Sequence, residues 1–174
     1  NQGTLRIAAF GGVIPDGSAL IVNSTLDLNG YSETVGSLAG SGTVTSNAGT
    51  TMTLTAGGNN SNTIFSGVIQ NGSSTGVSLS KTGTGSLSLS GNNTYSGTTS
   101  LLGGTLNMNS ATSIGTGALT IFSGTTIGNT SASAITLTTN NTVNLNGDFS
   151  FGGTQDLNLG TGAISFGSTR GITV

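Results

Sequence analysis

Short runs in which apolar and polar residues alternate recur along the chain, and this period of two constrains the fold more than any other feature. Leu87 and Leu89 in SLSLS, and Leu106 and Met108 in TLNMN, are typical. Such alternation places every second side chain on one face of a β-strand. About nineteen runs of about four or five residues can be counted, separated by Gly, Asn and Ser. No stretch shows a helical period, and 31 glycines argue against long helices.

Many short strands with one apolar face are compatible with a sandwich, an up-and-down barrel or a β-solenoid. The resemblance among runs and the small to medium aliphatic residues, which suit a narrow tube, favour the solenoid. Asn and Thr recur where stacked coils could form hydrogen-bonded ladders. Aromatic residues are only 5% and tryptophan is absent, whereas a sandwich often has a few large aromatic anchors. We therefore predict an all-β, right-handed parallel β-helix with roughly three short strands per coil.

This arrangement predicts the size and the energetics of the molecule. The runs make roughly six or seven coils, and a spacing of ~4.8 Å gives a rod of about 30 Å. Burial of about six inward side chains does not offset the conformational entropy of a coil of about 25 residues. Contacts between coils must supply the difference. An isolated coil should therefore not fold, and an open end should bind other strands.

The chain is predicted to be one continuous array over residues 1–174. No charge run or proline-rich linker divides it, and Pro15 is the only proline. A longer repeat of about 100 residues is superimposed: GTLRI returns as GTLNM, and SALIV returns as GALTI. These matches define a super-repeat at 3–103 and a partial one at 104–174. We expect the array to be a fragment of a longer repeat protein.

The composition removes several kinds of chemistry. Without cysteine or histidine, the chain has no thiol nucleophile, no histidine acid–base catalyst and no zinc site built from these residues. Arg6, Lys81 and Arg170 are the only basic residues, so no nucleic-acid partner is expected. These residues show no signal-peptide pattern and no apolar stretch near 18 residues, so this segment is not expected to insert into a membrane. No catalytic residue, cofactor or metal is predicted.

The most specific pattern is LSKTGTGSLSLSGNNTYSGTT at residues 79–99. It resembles the autotransporter-associated β-strand repeat, also called the passenger-associated transport repeat. The flanking segments 26–45, 65–69 and 143–166 resemble stretches found in the same proteins. The residues that match the repeat are Leu79, Lys81, Gly83, Gly85, Leu87, Leu89, Gly91, Asn93, Tyr95, Gly97 and Thr99.

The resemblance implies a right-handed parallel β-helix in a long bacterial protein that is secreted or anchored at the outer membrane. In that family such repeats are thought to aid secretion by folding as they emerge. We therefore expect an extracellular or cell-surface location and a non-enzymatic structural module that forms a rigid stalk or fibre. Its partners would be neighbouring repeats or further copies stacked end to end. The alternative is an adhesin-type module that presents a face to a glycan or to a host or cell-surface protein.

The acids are candidates for an enzymatic site. They are Asp16, Asp27, Glu33, Asp148 and Asp156. β-Helical enzymes that cleave polysaccharides need clustered carboxylates, and only Asp27 and Glu33 lie near each other in the sequence. Solvated turn residues are the favoured interpretation. The segment DLNG at 27–30 could supply oxygen ligands to calcium, but a turn made by Asn29 and Gly30 is favoured.

Other side chains also have a simple structural interpretation. Lys81 is expected to project from a coil corner and to limit edge-to-edge association, since its segment lacks the glycines of a phosphate loop. Phe65 and Tyr95 could line a glycan surface, although packing in the core or at a corner is favoured. Thr-x-Thr motifs invite an ice-binding interpretation but are too irregular for it. They occur at 43–45, 51–55 and 136–138.

Overall fold

A computed structural model describes residues 3–10 and 12–174 of the protein, and within them every regular element is a β-strand. Residues 1 and 2, with which the predicted array begins, and residue 11 lie outside the described residues. No helix long and apolar enough to cross a membrane occurs in the described part of the chain. The strands are β1 (Thr4–Arg6), β2 (Ala19–Ile21), β3 (Thr25–Asp27), β4 (Glu33–Val35), β5 (Ser37–Ala39), β6 (Thr43–Thr45), β7 (Thr51–Ala56), β8 (Thr63–Phe65), β9 (Val68–Ile69), β10 (Gly76–Lys81), β11 (Ser86–Leu89), β12 (Thr99–Leu101), β13 (Thr105–Met108), β14 (Leu119–Ile121), β15 (Thr125–Gly128), β16 (Ile135–Thr136), β17 (Val143–Leu145), β18 (Phe149–Phe151), β19 (Leu157–Asn158), β20 (Ile164–Phe166) and β21 (Ile172–Thr173).

The strands form the three walls of a β-solenoid, and every pairing between them is parallel. The first wall contains β1, β3, β6 and β9, and further along the axis β16 and β19. The second wall is a seven-stranded sheet of β4, β7, β10, β12, β14, β17 and β20. The third wall begins with β2 and β5 and continues through β8, β11, β13, β15, β18 and β21, with Gly40 and Phe65 forming the link. The predicted fold class is confirmed.

The number of coils can be read from the third wall, because each coil contributes one strand to it. This wall contains eight strands, so the chain makes about eight coils, and the prediction of six or seven was too low. The coils are shorter than expected: 18 residues separate the paired Ala19 and Ser37, and 24 separate Thr125 and Phe149. The stretches 90–98 and 109–118 cross the first wall without a strand, so a count of three strands per coil gave too few coils. Right-handed winding stays a prediction.

The core is a set of aliphatic side chains stacked coil upon coil. Leu54 pairs with Leu79, and Leu119 pairs with Val143 in the same inward row of the second wall. All four are buried. Fully burying such a side chain contributes about 1.5–3 kcal/mol, and the rows run the length of the described solenoid. The alternating runs of the sequence therefore face inward as predicted.

Glycine makes the tight corners possible. A Cβ at Gly91 would lie 1.7 Å from the carbonyl oxygen of Gly67, and one at Gly117 would lie 2.0 Å from the carbonyl oxygen of Gly97. Neither distance leaves room for a side chain, so coils can approach closely only where the corner residue is glycine. The predicted polar contacts between coils are present, but Asn mostly bonds to Ser, Thr or backbone rather than to Asn, as in the bond from Asn71 Nδ2 to Ser96 Oγ.

The super-repeat at 3–103 and 104–174 stays a prediction. Its two most similar pairs of segments do not occupy equivalent places on the solenoid. Thr4–Arg6 lies in the first wall and Thr105–Met108 in the third, while Ala19–Ile21 lies in the third wall and Leu119–Ile121 in the second. The segments thus share a strand pattern, and each copy lies on a different wall from its counterpart.

Candidate functional site: the polar network of residues 79–99

The motif at residues 79–99 makes one complete turn of the solenoid. Its first and last members, Leu79 and Thr99, are register partners on the adjacent strands β10 and β12. Between them the chain passes through β11 of the third wall and the stretch 90–98. The motif therefore has one coil below it and one above it, and its side chains can contact both.

The three leucines of the motif belong to the core. Leu79 pairs with Leu54 of the preceding coil, and Leu87 pairs with Leu106 of the following one. Leu89 lies between Phe65 and Met108, and all three leucines are buried. Their spacing of two residues along each strand places them on one face. This part of the motif is explained by packing alone.

Lys81 does not project from a corner, and that prediction was wrong. Only 1% of the residue is exposed. Its Nζ donates to three carbonyl oxygens, those of Thr82 at 2.6 Å, Gly83 at 3.3 Å and Gly103 at 3.2 Å. The side chain runs inward because Lys81 continues the alternation of Val77 and Leu79 along β10, which is the buried face of the strand.

Lys81 lies in a second inward-facing row of the second wall, and its neighbours in that row are apolar. Its register partners are Ala56 in the coil below and Leu101 in the coil above. No carboxylate forms an ion pair with it within residues 3–10 and 12–174, where the salt bridge found is between Arg6 and Asp27. Burial therefore lowers the pKa of Lys81 from its ordinary value of 10.5 to about 8.

The four glycines of the motif allow its coil to approach its neighbours. Gly83 has a φ of 67°, a left-handed conformation that suits glycine. A Cβ at Gly85 or Gly91 would come within 2.4 Å or 1.7 Å of backbone oxygens of the preceding coil, and one at Gly97 would come within 2.3 Å of Ser78 Oγ. The glycines of the motif are therefore required by close packing of backbone on backbone.

Asn93 bridges three coils. Its Oδ1 accepts a hydrogen bond from the N–H of Ile69 at 2.7 Å, and its Nδ2 donates to the carbonyl oxygen of Ser113. The side chain is buried. A buried backbone group without a partner costs roughly 1–3 kcal/mol. The side-chain amide of Asn93 thus provides a hydrogen-bond partner for a backbone N–H of the coil below and for a backbone carbonyl of the coil above. Regular strand pairing is absent at this point.

Tyr95 and Thr99 form a short chain of hydrogen bonds in the core. The Tyr95 hydroxyl lies 2.6 Å from Thr99 Oγ1, which donates to the carbonyl oxygen of Ile114 at 3.2 Å. Tyr95 must then be the donor to Thr99. Burial raises the pKa of the Tyr95 hydroxyl well above its ordinary value, and the hydrogen bond with Thr99 opposes that shift. Tyr95 therefore packs in the core, as favoured from the sequence.

Asp27 is buried rather than solvated, so the prediction of an exposed turn residue was wrong. Its Oδ1 accepts from the N–H groups of Asn29 at 2.9 Å and Asn47 at 3.0 Å. Its Oδ2 accepts from Asn47 Nδ2 and from Arg6 Nε at 3.0 Å. Burial alone would raise the pKa of Asp27, but these hydrogen bonds together hold it below its ordinary value. Both oxygens of the Asp27 carboxylate therefore accept hydrogen bonds from groups within the protein.

Glu33 is also buried, again against expectation. Its carboxylate accepts from the N–H groups of Val13 and Ile14, at 3.3 and 2.9 Å, and so holds the segment of the coil below it. Glu33 belongs to the second wall and Asp27 to the first, and their carboxylates bond to different groups. Neither carboxylate bonds to the other, and each is hydrogen-bonded to backbone or side-chain groups near its own wall. The remaining acids, Asp16, Asp148 and Asp156, are exposed, as predicted.

The other candidates from the sequence have structural roles. Asn29 and Gly30 have φ values of 50° and 82° and form the expected turn. The described residues contain no cluster of three or more acids that could hold a metal ion. Phe65, like Tyr95, is fully buried, so neither ring can line a glycan surface. Of the three Thr-x-Thr segments, 51–55 lies on the second wall, while 43–45 and 136–138 belong to β6 and to the end of β16, which are not paired on the first wall, so no continuous Thr-x-Thr face forms.

Two further buried amides were not found from the sequence. Asn129 Nδ2 donates to the carbonyl oxygens of Ser133 and Asp156. Asn141 Nδ2 donates to those of Gly115 and Gly117. Each joins its coil to one neighbouring coil, whereas Asn93 is bonded to the coils on both sides. A signal was available for the first, since the GNT around Asn129 resembles the GNNT of the motif.

Comparison with known proteins places the motif in a family. Residues 79–108 match the model of the passenger-associated transport repeat, which confirms the resemblance expected from residues 79–99. A search of curated proteins found no match. A search of solved structures found none either.

Proposed function

We propose that this chain, which carries a passenger-associated transport repeat at residues 79–108, is a non-enzymatic structural module of an exported, autotransporter-type surface protein. In this proposal it forms a segment of a rigid stalk or fibre. One observation carries the proposal: the polar groups of the repeat are used inside the solenoid. Lys81, Asn93 and Tyr95 are each buried and bonded to the chain itself. The repeat therefore builds a coil and presents none of these groups to a ligand.

The geometry supports a load-bearing role. Parallel strands join successive coils in the second and third walls, the first wall is interrupted between β9 and β16, and buried amides such as Asn93 and Asn141 add contacts between coils. Each coil contacts mainly its neighbours, so stability grows with the number of coils. Eight coils span about 34 Å at ~4.8 Å per step.

Single-molecule pulling along the axis tests the structural role. A load-bearing solenoid should yield in steps of one coil, each releasing 18–25 residues, or about 60–90 Å of chain at ~3.5 Å per residue. A variant with Asn93→Ala should yield at lower force, and the surface variant Asn92→Ala should behave as the unmodified chain. Release of the whole chain in one event at low force would contradict the proposal.

The two ends of the solenoid support stacking against further coils. At one end Leu5 and Ile21 are exposed on the edge strands β1 and β2, and at the other Phe166 and Ile172 are exposed on β20 and β21. Each edge also presents unpaired backbone N–H and C=O groups. We propose that a coil of the same kind, from a neighbouring repeat or another copy, covers each end.

Sedimentation velocity over a range of concentrations tests the stacking of copies. We expect the chain to associate end to end, and Phe166→Lys to abolish the association. Leu102→Lys is the matched control, since Leu102 is an exposed residue on the side of the solenoid. Equal association of both variants would place the contact elsewhere, and a chain that stays monomeric throughout would leave only neighbouring repeats as partners.

The cellular location can be tested directly. An exported module should be labelled by antibodies on intact cells of the source organism. Labelling that requires permeabilised cells would contradict export, whatever the mechanical result.

An adhesin-type role is the alternative, and one surface feature favours it. Phe10 is 86% exposed. The centroid of its ring lies 4.7 Å from that of Tyr31, and the two rings pack edge to face. Exposed aromatic faces are suited to stacking on sugar rings. A glycan array would test this role, with Phe10→Ala as the matched variant. Glycan binding that is lost in this variant would favour the adhesin, and an array without binding would leave the structural role.

A further inference from the structure

The corner after β10 gathers three carbonyl oxygens around one ammonium group. Those of Thr82, Gly83 and Gly103 lie 2.6–3.3 Å from Lys81 Nζ. They come from two successive coils, since Gly103 belongs to the corner directly above. A primary ammonium has three N–H donors and no acceptor, so the number of donors equals the number of acceptors.

We propose that this corner is a binding site for a primary ammonium ion, which the chain fills with its own lysine and which will accept a free alkylammonium when that side chain is shortened. The ligand class follows from the acceptors. They are neutral carbonyl groups, which suit a singly charged cation. A divalent metal ion prefers carboxylates and a larger set of oxygen ligands. A quaternary ammonium has no N–H to donate.

The acceptors do not depend on the lysine for their position. Gly57, Gly83 and Gly104 in three successive coils have φ values of 122°, 67° and 66°, so glycine conformation shapes this edge of the solenoid. A Cβ at Gly83 would lie 2.0 Å from the carbonyl oxygen of Gly57, which shows how closely the corners stack. Shortening Lys81 removes the cation and leaves this backbone arrangement in place.

The rest of the row shows why the site occurs at one corner. At the register position of Lys81, the neighbouring coils have Ala56, Leu101, Ile121 and Leu145. These apolar side chains end before the corner and bring no donor to it. The small Ala56 lies directly beneath Lys81, and both line a gap too narrow to hold water. The alkyl chain of the lysine thus packs as an aliphatic core residue, and only its head group binds.

The test is chemical rescue of Lys81→Ala. This substitution removes the three outer carbons and the amine, which together correspond to n-propylammonium. We expect the variant to melt at a lower temperature, and n-propylammonium to raise its melting temperature saturably, by about 3–6 °C at ten times the dissociation constant. Tetramethylammonium at equal concentration should have no such effect.

The matched control is Leu101→Ala, which opens a similar space in the same row one coil above. It offers no ammonium site, so n-propylammonium should not stabilise it more than tetramethylammonium does. Equal stabilisation of both variants by both ions would overturn the proposal, because the effect would then be one of salt or of cavity filling.

A second measurement uses the unmodified chain, in case Lys81→Ala does not fold. The ammonium protons of Lys81 should exchange slowly with water at pH 6 in ¹⁵N NMR spectra, since all three are donated to carbonyl oxygens. Lys81 is the only lysine, so the signal needs no assignment. Slow exchange supports the site, whereas exchange as fast as that of a free amine overturns it.

Discussion

Raising the pH from 7 to 9.5 should stabilise this protein, because its one lysine is buried. In the unfolded chain Lys81 keeps its proton up to the ordinary pKa of 10.5, whereas burial lowers the pKa to about 8 in the folded chain. Between these values the unfolded state binds more protons than the folded state. The free energy of unfolding therefore rises with pH in this window.

The expected size of the effect follows from the two pKa values. Their difference of about 2.5 units corresponds to about 3.4 kcal/mol over the whole window, at about 1.36 kcal/mol per unit. Between pH 7 and 9.5 the single-site linkage relation gives about 2 kcal/mol of this. Tyr95 begins to contribute only near pH 10.

Urea unfolding followed by circular dichroism at pH 7, 8, 9 and 9.5 would measure this effect. The unmodified chain should gain stability at each step, while Lys81→Met, which has nearly the same length but no ionisable group, should show no comparable gain. Equal pH dependence in both proteins would refute the reasoning. It would mean either that the Lys81 amine is not buried in solution or that its three carbonyl partners cancel the penalty of burial.

Three further predictions concern the motif. Asn93→Ala should lower the free energy of unfolding by about 2–4 kcal/mol, since it leaves a buried N–H and a buried carbonyl without partners, whereas Asn92→Ala should have little effect in the same urea titration. Gly91→Ala should prevent close stacking and abolish cooperative melting, while Gly58→Ala, whose Cβ meets nothing within 4 Å, should melt nearly as the unmodified chain does. Above pH 10 the unmodified chain should lose stability, because the raised pKa of Tyr95 keeps its proton bound only in the folded state. Tyr95→Phe should remove that loss, as measured by melting temperature against pH.

The strands and their stacking could be predicted because both are local consequences of the sequence. Alternation within each run fixes which residues face inward, and Leu79 and Leu87 lie where that rule places them. Glycines between runs mark the corners. The number of coils was underestimated because three strands were assigned to every coil, whereas the stretches 90–98 and 109–118 cross the first wall without a strand. There the amide of Asn93 and backbone bonds between coils replace strand pairing, which alternation within a run does not predict.

The buried charges were missed for two different reasons. Lys81 and Glu33 are in phase with Leu79 and Val35, so the alternation places both on the inward face, but the predictions of a projecting lysine and a solvated acid did not apply that rule to charged residues. Asp27 is different. It lies out of phase with Leu26, and the backbone and side chain of Asn47, together with Arg6, enclose it from other coils. No feature near Asp27 in the sequence predicts that enclosure.

The retention of a lysine in an otherwise apolar row points to a role in strand register. Leu101 and Ile121 occupy the same row without a charge, so the fold does not require one there. The ammonium finds its three acceptors in one register only. A slip of β10 by one residue would carry Lys81 to the outer face and turn Ser80 inward. Burial of Val77 and Leu79 opposes the same slip, and the bonded ammonium adds to that penalty.

Lys81→Met should therefore loosen the register of β10 even if the solenoid remains folded. We expect additional amide resonances for residues of β10 and faster hydrogen exchange there than in β14, where the row is already apolar. Leu101→Met is the matched control, since it changes the same row without removing a charge. A single set of resonances in Lys81→Met, with exchange rates equal to those of the control, would show that packing alone sets the register. Lys81 would then be a residue that the fold tolerates without using it to align the coils.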